Sequence, residues 1–269
     1  MRKINGQDSV FDKLVQGNDE ITYNLFYLVR GCEDARIYTD DKSYIVAQSN
    51  QYTPIWIFAN EQFDAEAENE VYQILADCVK ENPKVHINAK PEFMSGIFAR
   101  LEAELNVKYE KYKGLIAYKC PQVKLVEEKG QLTSPRAEHK ERMIDLVKQI
   151  TEDISHQELP HEEAVAFADK HTDSENLFLW QDGDIVSMAR IAEKNEKYAR
   201  INYVVTDRAK RNRGYVKMLV GNVSKILLEQ GVLPMLYADD NNPYSNAAYQ
   251  KIGYLKVGEI TEFYNKNAE

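Results

Sequence analysis

Between Ala199 and Glu229 the apolar period changes within a single basic turn, and this change restricts the fold more than any other feature. ARINYVV (199–205) alternates as a strand does, whereas residues 214–229 repeat as an amphipathic helix with Tyr215, Met218, Leu219, Val223 and Ile226 on its apolar side. The surrounding chain keeps alternating. Residues 138–154 predict a helix with Met143, Val147, Ile150 and Ile154 on one face, and 161–170 a second helix. NLFLWQ (176–181) and IVSMARIA (185–192) read as strands about Asp182-Gly183. LPMLYA (233–238) is a strand, 243–252 a short helix, and 254–264 a strand or two. Such an order predicts a mixed α/β (α+β) sheet flanked by helices.

The first part has a similar order. PIWIFA (54–59) is expected as a strand, 66–80 as a helix with Val71, Ile74, Leu75, Cys78 and Val79 inward, and KVHINA (84–89) as a strand. Residues 91–105 follow as a helix with Phe93, Ile97, Leu101 and Leu105 inward, then 107–119 as strand. This matches the order of 199–264 and suggests an internal structural repeat, although many α/β domains share the order by chance. Polar, Gly- and Pro-containing sequence at 121–137, with one short apolar segment from Val123 to Val126, marks the connection. The expected division is therefore 1–120, a smaller α/β domain of related fold, and 121–269.

Composition removes several classes. The 34 Lys+Arg against 43 Asp+Glu leave a net charge of −9, which disfavours general nucleic-acid or anionic-membrane binding and weakly favours a cationic partner. No stretch approaches the roughly 20 apolar residues of a membrane helix, and the first residues lack a signal-peptide core. Cys32, Cys78 and Cys120 are widely spaced and odd in number, which suits a reducing cytoplasm.

The chemistry concentrates in two segments. In Val204-Val205-Thr206-Asp207-Arg208-Ala209-Lys210-Arg211-Asn212-Arg213-Gly214-Tyr215-Val216 a strand enters a basic, glycine-containing turn that opens a helix. Backbone N–H groups and the positive helix end there suit a phosphate pair. The same residues also read as a solvated basic turn. Neither GxxxxGK[ST] nor a strand-linked GxGxxG is present. In the second segment Asn242 can cap a helix begun by Pro243 and ended by Gly253, with Asn242, Ser245, Asn246 and Tyr249 on one polar stripe. The stripe reads as a cofactor wall, and Tyr249 taken alone as a packed aromatic with its hydroxyl at the surface. His139, His156, His161 and His171 read as surface residues. They do not form HExxH or other metal-ligand spacing, so no metal is expected.

Together the two segments resemble the GNAT family, the Gcn5-related N-acetyltransferases. The family's [Q/R]-x-x-G-x-[G/A] falls on Arg211-Asn212-Arg213-Gly214-Tyr215-Val216, with Val216 where Gly or Ala is preferred. Its second motif, often N-P-x-S-N-x-x-Y-x-K-x-G-[F/Y], resembles Asn242 through Tyr254. The resemblance covers about residues 123–269. It implies acetyl-CoA as cosubstrate and direct attack by an amine of a small molecule or peptide in a ternary complex. It also implies a backbone N–H near Val204, Val205 and Thr206 on the thioester carbonyl. Arg211 to Val216 would lie on the pyrophosphate, Asn242, Ser245 and Asn246 along the pantetheine arm, and Tyr249 would be the general acid. Glu193, Asp239 and Asp240 are positional candidates for a base, each also readable as a solvated surface acid.

Other readings are a non-enzymatic acyl-CoA-binding or regulatory protein and an aminoacyl transferase of tandem GNAT-like fold. The chain is expected as a monomer or homodimer. In the first part, Asn60-Glu61-Gln62-Phe63-Asp64 stands where a phosphate turn would be and is acidic, so only the second copy should bind cofactor.

Overall fold

The computed structural model describes residues 1–124 and 129–268. The chain forms two compact units, one of residues 1–117, 238–241 and 257–269, the other of residues 118–237 and 242–256.

The first unit begins with β1 (Arg2–Ile4), three five-residue helices, α1 (Val10–Leu14), α2 (Asn18–Thr22) and α3 (Phe26–Arg30), and then β2 (Arg36–Thr39) and β3 (Tyr44–Gln48). None of these elements was expected from the sequence. The helices are too short to show a 3.6 period, and they hold through tertiary packing of Val10, Phe11, Tyr23, Phe26 and Val29 against Ile37, Ile45 and Phe58. The expected β-α-β-α-β run follows as β4 (Ile55–Ala59), α4 (Ala65–Glu81), β5 (Ile87–Ala89), α5 (Ser95–Leu105) and β6 (Tyr109–Lys119). All five apolar positions assigned to α4 are buried. Each such side chain contributes on the order of 1.5–3 kcal/mol. Ile97 and Leu101 of α5 are buried as expected, whereas Phe93 sits in a separate 3-10 turn, Pro91–Phe93, and is half-buried like Leu105.

The second unit runs β7 (Gln131–Thr133), α6 (Lys140–Ser155), α7 (His161–His171), β8 (Leu177–Asp182), β9 (Asp184–Lys194), β10 (Tyr198–Thr206), α8 (Tyr215–Glu229), β11 (Leu233–Asp239) and α9 (Pro243–Ile252). Its strand order is β11-β10-β9-β8-β7, parallel between β10 and β11 and antiparallel from β10 to β7. Met143, Val147 and Ile150 of α6 pack with Leu177, Leu179, Met188 and Val205. Ile154, expected on that face, is 67% exposed, one turn beyond the last buried position. Residues 125 and 126 of the short apolar segment lie outside the described residues.

A cut at residue 120 does not describe the units. The last strand, β12 (Leu255–Asn265), pairs antiparallel with β5, Thr261 opposite Ala89 and Phe263 opposite Ile87, and it stands between β5 and β6 in strand order. Ile260 and Phe263 enter the cores of the first unit. Strand pairing over such a distance leaves no mark in the local sequence.

Candidate active site

β10 is irregular where the sequence placed the thioester. Asn202 pairs with Arg190 and Val205 with Met188, so Tyr203 and Val204 stand opposite Ala189 alone. This is a β-bulge, and Tyr203 takes φ 51°. The parallel ladder with β11 covers only Tyr198↔Leu233 to Arg200↔Met235, although β10 continues to Thr206 and β11 to Asp239. Past Arg200 the strand edge is therefore released from its neighbour. The Val205 side chain is buried, Val204 is half-buried, and Thr206 is held by a hydroxyl contact of 3.0 Å with Ser187.

The basic turn is fixed by partners far away in sequence. Arg142 donates to the Ile185 carbonyl at 3.0 Å and to Asp207 at 2.5 Å, and the other Asp207 oxygen accepts from the Ala209 N–H at 2.9 Å. Arg142 holds the Asp207 carboxyl below the usual carboxylate range. Asp153 of α6 pairs with both Arg208 and Arg211, and Glu152 adds a second contact to Arg208 at 2.7 Å. Arg211 also donates from Nε to the Thr206 carbonyl at 3.2 Å, closing the turn onto the strand end. Of the four basic side chains, Arg208 and Arg211 are thus partly neutralised, while Lys210 and Arg213 make no ion pair among the described residues.

Beyond Arg211 the backbone turns left-handed twice, at Asn212 (φ 64°) and Gly214 (φ 83°). A Cβ on Gly214 would meet nothing closer than Lys217 Cε at 3.4 Å, so conformation rather than space calls for glycine. The N–H groups of Asn212 through Lys217 donate to no acceptor among the described residues, and the first bond of α8 is Met218 N–H to the Gly214 carbonyl. Tyr215 turns inward and donates to Asp182 at 2.6 Å, whereas Val216 is half-buried and outside the core.

α9 begins with the expected cap: Asn242 accepts from the Ser245 N–H at 3.0 Å ahead of Pro243. The polar stripe divides. Asn242 is exposed and Ser245 half-buried, but Asn246 and Tyr249 face inward with Ile252. Asn246 accepts from the Tyr118 hydroxyl at 2.9 Å and donates to the Asn242 carbonyl at 2.8 Å, so its amide is committed to the protein. Tyr249 is 6% exposed, and its hydroxyl has no hydrogen-bond partner among the described residues. Burial pushes its pKa up, so the phenol keeps its proton at neutral pH.

Two acids expected at the surface are not there. Glu193 is 13% exposed at its side chain, contacts Arg200 at 3.5 Å, and is pushed up in pKa by burial. Asp240 accepts from Lys111 and from the Gly114 N–H at 3.1 Å within the first unit. Asp239 is exposed. His139 and His171 are buried rather than surface residues. Among the described residues no group of three His, Cys, Asp or Glu side chains could hold a metal ion. No helix among them is long and apolar enough to cross a membrane.

The family model described as the acetyltransferase (GNAT) family matches residues 141–254. Residues 141–254 are a GNAT domain. They contain the bulged strand, the left-handed turn and the capped α9. Solved structures resemble the chain over nearly its whole length. A Gcn5-related N-acetyltransferase from Sphaerobacter thermophilus is similar at 14% identity, TM-score 0.69, over 98% of this chain and 94% of that one. One from Kribbella flavida is similar at 17% identity, TM-score 0.58, over 93% and 95%. A tandem GNAT protein from the clavulanic acid biosynthesis pathway is similar at 10% identity, TM-score 0.54, over 97% and 96%. At such identities the likeness is one of fold, and it extends beyond the GNAT domain into the N-terminal region. No curated protein matches the sequence.

Proposed function

We propose that the second unit transfers the acetyl group of acetyl-CoA to a primary amine of a small molecule or peptide. The observation that carries this reading is the uncommitted row of backbone donors from Asn212 to Lys217, directly after a strand whose ladder has opened. Donors at a helix start suit a pyrophosphate. Lys210 and Arg213, which lack ion-pair partners among the described residues, would add charge. The released edge of β10 offers backbone groups to a pantetheine amide and an N–H near Val204 to a thioester carbonyl.

In the reaction the amine nitrogen bonds to the carbonyl carbon and the C–S bond breaks. The amine gives up one proton, and the departing sulfur takes one. Negative charge on the carbonyl oxygen is stabilised by the N–H at the bulge. Tyr249 holds a proton for the sulfur, since its buried phenol remains neutral. Asn246 supports it indirectly by tying α9 to Tyr118.

Calorimetry with acetyl-CoA tests the reading, and absence of binding overturns it. Tyr249→Phe should bind acetyl-CoA as the wild type does and lower kcat by about a hundred- to ten-thousandfold, the usual span for a lost general acid. Binding with no turnover of any amine would instead leave an acyl-CoA-binding protein.

A further inference from the structure

Around the bulge of β10 lies a cluster of cationic and aromatic side chains that acetyl transfer as described does not use. Arg190 of β9 donates from Nε to Asn202 Oδ1 at 3.2 Å, and its guanidinium lies 5.0 Å from the Tyr203 ring centroid. Tyr203 stacks on Phe167 of α7 at 5.3 Å, and Phe167 contacts His171 at 4.5 Å. Arg200, two residues before Asn202, approaches Glu193 at 3.5 Å.

The charges in this cluster do not balance. Arg190 is half-buried, yet no carboxylate lies within ion-pair distance among the described residues, and its terminal amino groups donate to no protein acceptor there. Arg200 is 12% exposed, and its Nε is buried without a partner. His171 Nδ1 is likewise buried and without a partner. The facing titratable groups are two guanidinium ions, one carboxylate, a histidine and the Tyr203 phenol, with the Lys170 ammonium also acting on the histidine. The histidine is kept neutral first by burial and then by the Arg190 charge. A protein with a net charge of −9 thus holds an excess positive charge beside its proposed thioester position. Unpaired, partly desolvated guanidinium groups are costly, and their planar fork matches a carboxylate.

We propose that Arg190, with Arg200 behind it, binds a carboxylate on the acceptor, so that the substrate is an amine that also carries a carboxylate: an amino acid or the C-terminal end of a short peptide. This rests on the acetyl-transfer reading and departs from the cationic acceptor that overall charge suggested. Asn202, the partner of Arg190, precedes Val204 by two residues, about 7 Å along a strand. A carboxylate on Arg190 and an amine at the bulge are therefore within one small molecule's reach.

The test uses the full chain, shown first to bind acetyl-CoA by calorimetry. Thiol release is followed with matched amines: L-lysine, L-ornithine, glycine and a dipeptide against their amides and decarboxylated forms. The corresponding N-acetyl products are titrated into the CoA complex. The acids should exceed their carboxylate-free counterparts at least tenfold in kcat/KM or in product binding. In Arg190→Gln that ratio should fall below threefold, and Arg190→Lys should restore part of it. The melting temperature and acetyl-CoA affinity of each variant report whether it is folded. Acetyl-CoA binding with no carboxylate preference in either measurement overturns the inference and leaves the acetyl-transfer reading standing. Failure to bind acetyl-CoA overturns that reading instead. A preference that survives in folded Arg190→Gln removes Arg190 from the role.

Discussion

Each unit sends a strand through a turn into a long helix, and the two turns treat the exposed donors of the helix start in opposite ways. In the first unit, β4 leads through Asn60–Asp64 into α4, and the Asp64 carboxylate accepts from the N–H groups of Glu66 and Ala67. The first turn of α4 carries its own anion. In the second, β10 leads through 207–214 into α8, Gly214 has no side chain to offer, and the donors from Asn212 to Lys217 are uncommitted among the described residues. A cap and a phosphate site are alternative answers to one need, the unpaired N–H groups that begin every helix. The acidic turn of the first unit does more than repel a pyrophosphate: its carboxylate already takes the donors.

Substitutions can break this contrast. Gly214→Val places a β-branched side chain at φ 83° and should have the largest effect, weakening acetyl-CoA binding well over tenfold by calorimetry while leaving the protein folded. Asn212→Asp brings a carboxylate to the second turn without disturbing its left-handed backbone, as Asp also tolerates that region. Acetyl-CoA binding should weaken about tenfold, the melting temperature should stay level or rise, and raising salt should recover part of the loss. The smallest effect is expected from Asp64→Ala, which should lower the melting temperature by a few degrees without creating acetyl-CoA binding. Backbone hydrogen bonding, first from Ala67, lowers the folded Asp64 pKa below its ordinary 3.8. Its stabilisation is therefore complete above that value and is lost as pH falls through the lowered one. Wild type and Asp64→Ala should converge in acid and differ most near neutrality in a thermal melt.

Much of this was legible in the residues. α9 was expected at 243–252 and is found there, and α8 begins one residue from its expected start, because a strong apolar period and clear caps leave little freedom. The turn at Arg211–Gly214 could be read as a turn because its glycine and the change of period beside it are local. The ion pairs that hold that turn were not legible: Asp153 lies 55 and 58 residues from its two arginines. The inward face of Asn246 was missed because an amide looks equally polar in sequence whether it meets a ligand or Tyr118, whereas the buried ring of Tyr249 fits its reading as a packed aromatic. The first 50 residues gave no signal, since five-residue helices and short strands are stabilised by contacts rather than by period.

The pairing of β12 with β5 also orders events in time. A ribosome releases the residues of the second unit before it makes Thr261 to Phe263, the partners of a strand completed some 170 residues earlier. The first unit therefore waits, with β5 an open edge, while the later-made unit already has nearly all its chain. Synthesis order and completion order are reversed, and during that interval β5, paired with β4 on one side, presents its other edge open to the cell.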